Sequence, residues 1–81
     1  MSILKNTKRK WLRARISLRE TMYNILKINR ERRKLPYSKN PEKKEARLND
    51  ELRILNKLAD KQAKLVRLYE RTIEDQNALA S

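Results

Sequence analysis

Apolar positions in the first part of the chain keep a seven-residue beat. Leu4, Trp11, Ala14, Leu18, Ile25 and Ile28 fall on one face of a helix, with Met22 at its flank. The beat stops at Leu35-Pro36. A residue before proline is pushed out of the α region, so the helix is expected to end near Lys34, with Arg30, Arg32, Arg33 and Lys34 where the helix dipole favours cations. Asn40-Pro41-Glu42 reads as a second start: a capping residue, proline at the first helical position, and an acid in the first turn. From there Leu48, Leu52, Leu55, Ala59, Val66, Tyr69 and Ile73 share one face. Asp60 and Lys64 at i,i+4, with Arg67/Glu70 and Arg71/Glu74 at i,i+3, are expected to support it locally.

These patterns predict a single all-α domain over 1–81, an antiparallel two-helix hairpin resembling a coiled coil. Helix one spans about 4–34, a loop covers 35–40, and helix two runs from about 41 to 77, with Ala78 to Ser81 frayed. The basic stretch 1–10 is expected to be able to act as a flexible arm. At 1.5 Å per residue the helices measure about 45 and 55 Å, and a short loop between nearly matched helices makes them antiparallel neighbours. Folding about the loop sets opposite one another residues whose numbers sum to about 76. Trp11 is then expected near Leu65, Val66 and Tyr69, Leu18 near Leu58, and Ile28 near Leu48.

A second, weaker stripe runs along each helix: Leu12, Ile16, Tyr23 and Leu26 on the first, Ile54, Leu58 and Leu65 on the second. One hairpin buries one seam per helix, and two helices alone are marginal in water. The hairpin is therefore expected to be completed by self-association or by a protein partner.

Composition narrows the function. The chain of 81 residues has no Gly, no Cys and no His, and 40% of its residues are charged. Without cysteine there are no disulfides, thiol nucleophiles or thiolate metal sites. Without histidine the usual general base and commonest metal ligand are missing. Without glycine, P-loops, dinucleotide fingerprints and nucleophile elbows are excluded. No enzyme activity, catalytic residue, cofactor, metal site or small-molecule substrate is expected. Glu70, Glu74 and Asp75 form the one acidic cluster, and Arg67 and Arg71 lie among them as pairing partners.

Charge changes the picture most. Of the net +12, residues 1–40 hold thirteen Lys/Arg against Glu20 and Glu31 alone, whereas residues 41–81 hold nine against eight acids. A solvated helix face normally mixes signs, as the second helix does; the first leaves its self-repulsion uncompensated unless something anionic binds. Lys5, Lys8, Arg9, Lys10, Arg13, Arg15, Arg19, Lys27, Arg30, Arg33 and Lys34 are the candidate phosphate contacts, gaining affinity by counterion release. Lys5 to Lys10 oppose the dipole of the helix they begin, so helix stability does not explain them. Tyr23, among these cations, is a candidate for stacking on a base; Trp11 belongs to the seam.

The leading expectation is nucleic-acid binding, DNA or RNA, through the phosphate backbone, since no helix-turn-helix, zinc-finger, RRM or KH signature supports sequence readout. The alternative is a structural subunit using coiled-coil seams, such as a virion component or a small inhibitor of an acidic host protein. A membrane-surface role is disfavoured because the Trp11 face is committed to the second helix. No apolar run approaches the ~20 residues of a bilayer crossing and no secretory h-region precedes the helix, so a cytoplasmic or other intracellular location, virion association included, is expected.

Overall fold

In the computed structural model, which describes residues 3–80, the chain is an antiparallel helical hairpin. Helix α1 spans Ile3–Arg33 and helix α2 spans Pro41–Ala80, joined through a short 3-10 turn, η1, at Leu35–Tyr37. The molecule is a rod of 61 × 17 × 14 Å. Its radius of gyration of 18.2 Å far exceeds the roughly 12 Å of a globular domain this long. A rod has almost no interior, and the buried apolar side chains are few: Ala14, Ile28, Leu48, Leu52 and Val66.

The loop is built from one-turn hydrogen bonds. Lys34 N donates to Glu31 O, Tyr37 N to Lys34 O and Ser38 N to Leu35 O, each at 3.0 Å. Asn40 opens α2 by offering its carbonyl to Lys44 N at 3.2 Å. The expected proline signals therefore act as predicted, and the segment between the helices gains a 3-10 turn that was not foreseen. Leu35, from that turn, packs with Ile25 and Leu55 against the cluster of Ile28, Leu48 and Leu52. The tightest part of the hairpin is thus its closed end, where Leu48 is only 1% exposed.

Labelled as heptads, the inner positions of α1 are Leu4, Trp11, Leu18 and Ile25 at a, and Thr7, Ala14, Thr21 and Ile28 at d. Those of α2 are Leu52, Ala59, Val66 and Ile73 at a, and Leu48, Leu55, Gln62, Tyr69 and Gln76 at d. All are buried or half-buried. Four of these, Thr7, Thr21, Gln62 and Gln76, are polar, and hydrophobicity alone passed over them. Their spacing is the signal that finds them, because they fill the gaps in an otherwise unbroken 3-4 alternation. Met22 falls outside the seam and is 55% exposed.

The register differs from expectation. Ile28 does lie with Leu48, but it also packs with Leu52, and at the open end Trp11 reaches Glu70. Matching a to d positions across the seam then requires residue numbers that sum to about 80, not about 76. The cause is the turn: η1 occupies the end of the hairpin, so the first turns of α2 run beside it rather than beside α1. Leu18 consequently shares a groove with Val66, and Leu58 points off the seam at 42% exposure. The same offset sets the start of α1 opposite about residue 77, and α2 continues through Ala80 where fraying was expected from Ala78; Ser81 lies outside the described residues.

Polar groups in the seam are handled unequally. Thr21, 4% exposed, donates its hydroxyl to Ser17 O at 3.1 Å, a local bond that removes the cost of burying it. The side-chain oxygens of Gln62 and Gln76 are buried with no hydrogen-bond partner among the described residues. In the register above they face Leu18 and Leu4, which have no side-chain donor to offer.

Candidate nucleic-acid interface

Each expected contact residue of α1, Lys5, Lys8, Arg9, Lys10, Arg13, Arg15, Arg19, Lys27, Arg30 and Arg33, is exposed, as are Lys34 and Tyr23. Helix geometry sorts them further. The e, b and f rows of α1, which turn away from α2 on one side, carry Lys5, Lys8, Arg9, Arg15, Arg19, Arg30 and Arg33 and contain no acid. Both acids of α1 lie on the other side: Glu20 shares the c row with Arg13 and Lys27, and Glu31 shares the g row with Lys10. Lys34 stands beyond the helix, in the cap of η1. The expected set is therefore one acid-free arc of seven cations, three further cations on a mixed-sign flank, and one in the loop.

Nothing within the described chain neutralises that arc. Among the described residues the only ion pair is Arg53 with Asp50 at 3.5 Å, on α2. The expected pairs Asp60/Lys64, Arg67/Glu70 and Arg71/Glu74 do not close to ion-pair distance among the described residues. Exposed pairs gain little and must hold two long side chains still. Glu70 instead accepts the Trp11 indole N–H at 3.2 Å. That bond fastens the open end of the hairpin and uses Trp11 as a half-buried seam residue with a polar tip.

Two cations are held over aromatic rings. The Arg15 guanidinium lies 4.9 Å from the Trp11 ring centroid, and the Lys27 ammonium 4.8 Å from that of Tyr23. Such contacts restrain long side chains at small cost while leaving their charge facing water. Tyr23 itself is 53% exposed, beside the Lys27 ammonium.

The arc is not uniformly polar. Leu12, Ile16, Met22, Tyr23 and Leu26, each about half exposed, lie on the same e, b and f rows. Met22, Tyr23 and Leu26 interrupt the cations between Arg19 and Arg30, and with Arg15, Arg19 and Val66 they line a shallow groove. Chemically the arc offers an anionic partner two clusters of cations separated by an apolar and aromatic step of about three helical turns.

The segment 1–10, read as able to act as an arm, is helical from Ile3, with no acid in its first turn to offset the dipole; Met1 and Ser2 lie outside the described residues. No helix among the described residues is long and apolar enough to cross a membrane. Compared with protein-family models, curated proteins and solved structures, the chain finds no match, so its reading rests on its own geometry.

Proposed function

We propose that the hairpin binds nucleic acid through the acid-free arc of α1, chiefly by phosphate contacts and without sequence readout, and that α2 serves as its brace. One observation carries this reading: seven exposed Lys/Arg on the e, b and f rows with no carboxylate among them and, among the described residues, no ion pair to relieve them. Such an arc raises its own free energy by self-repulsion, and a polyanion lowers it while releasing counterions. Arginine supplies five of the seven and can fork to two phosphate oxygens at once. Tyr23, with Lys27 beside it, adds a stacking face that any base satisfies.

The test is affinity against salt. Fluorescence anisotropy with a labelled duplex and a labelled RNA hairpin is expected to give a log–log slope of about −4 to −7, corresponding to roughly five to eight phosphates. A slope near zero with both probes rejects the proposal.

A second reading, a structural subunit that docks on other helices, is favoured by one feature the phosphate reading leaves unused: apolar side chains exposed on the outer side of α2.

A further inference from the structure

The exposed apolar residues of α2 are not scattered. Ile54, Leu58, Leu65, Leu68 and Leu79, between 42% and 89% exposed, occupy the c and g rows. With Lys61, Thr72 and Asp75 they complete the series 54, 58, 61, 65, 68, 72, 75, 79, the same 4-3 alternation that builds the internal seam. This is a second heptad stripe on the same helix, about 38 Å long. It faces the flank opposite the cation arc. A groove lined by Asn24, Lys27 and Glu31 of α1 with Glu51 and Ile54 of α2 lies on this side, whereas Arg15, Arg19, Met22 and Leu26 line the groove on the other.

We infer that this stripe is the contact between two copies of the chain, joined antiparallel through α2 into a four-helix dimer. A regular heptad stripe fits a straight helix of similar length, and α2 itself, 40 residues long, is such a helix. Charge decides the orientation and the partner. A parallel pairing sets Lys61 against Lys61 and Asp75 against Asp75. An antiparallel pairing in which Leu65 faces Leu68 of the second copy also faces Ile54 with Leu79, and brings Lys61 within about one turn of the second copy's Asp75. The α1 stripe admits no such pairing, because a copy laid on it opposes cations to cations. The stripe on α2 is bordered by both signs, Glu20, Glu31 and Glu51 as well as Lys57 and Lys64, and so can meet itself. The dimer leaves both cation arcs outside.

The experiment uses the whole chain, which has no cysteine of its own. Sedimentation equilibrium is expected to give a two-chain mass, and the Leu65→Glu/Leu68→Glu variant a one-chain mass. Single cysteines then locate the contact in a way that does not depend on that variant folding. With a short thiol-specific cross-linker, Leu65→Cys is expected to cross-link to itself, a mixture of Ile54→Cys and Leu79→Cys to yield the mixed pair, and Ile16→Cys on α1 to remain single. A one-chain mass for the unaltered protein at every concentration overturns the inference. So does cross-linking at Ile16 as strong as at Leu65, or an Ile54→Cys chain that links only to itself. The salt test of α1 is untouched by any of these results.

Discussion

The two helices are alike inside and opposite outside. Both present an unbroken heptad seam to the other, and both contribute to the cluster at the closed end. Outside, α1 carries an arc with cations and no acid, while α2 mixes eight acids with its nine cations and keeps a row of aliphatic side chains in register. The lesson is that a coiled-coil seam constrains only two positions in seven. The remaining five are free to carry different tasks, and in this chain they differ by helix.

The common inner seam is the place where the largest stability effect is expected. Leu48→Ala removes the most deeply buried side chain among the described residues and is expected to cost about 2–5 kcal/mol in a denaturant melt. Leu12→Ala, on the outer arc of α1 and 53% exposed, is expected to cost under about 1 kcal/mol. If the two cost the same, the division into inner and outer faces is wrong.

Charge reversal separates the outer faces. Arg9→Glu/Arg15→Glu/Arg19→Glu in α1 is expected to lower affinity for a duplex by about a hundredfold or more at low salt, since three phosphate contacts become repulsions. Arg53→Glu/Lys57→Glu/Lys64→Glu in α2 changes the net charge equally and is expected to cost less than about tenfold. Equal losses show that total charge, not the arc, governs binding. Circular dichroism of the α1 variant is expected to match the unaltered chain, because none of the three side chains makes an ion pair among the described residues.

Smaller effects sharpen the seam itself. Gln62→Leu replaces a buried amide oxygen without a partner among the described residues and is expected to raise stability by about 1 kcal/mol. A drop instead means the amide is bonded in solution. Trp11→Phe removes the indole N–H that Glu70 accepts and is expected to cost about 0.5–1.5 kcal/mol. The loss is expected as faster amide exchange in the last turns of α2, with the Ile28–Leu48 end unchanged.

Much of this architecture was legible in the residues. Leu35-Pro36 and Asn40-Pro41 bracket the turn because proline restricts its own φ and its predecessor's conformation, which are local effects. The heptad beat marked the seam wherever the seam is apolar. It failed at Thr7, Thr21, Gln62 and Gln76, where a polar residue occupies an inner position and only the partner helix explains its burial. The candidate arc was legible as a list of cations, since charge is a property of the residue, and helix periodicity places most of them away from the Trp11 seam; which flank lies beside the aliphatic row of α2 was not legible.

The sequence by itself determined the two helices, their break and the surplus of positive charge, because periodicity, proline geometry and ionisation act within a few residues. The tertiary structure alone decided the register of α1 against α2, the fate of Glu70, and which flank of α1 shares a side with Glu51 and Ile54 of α2. Those depend on how many residues the turn consumes and how the two seams interlock, and a shift of four residues between helices leaves every local preference unchanged.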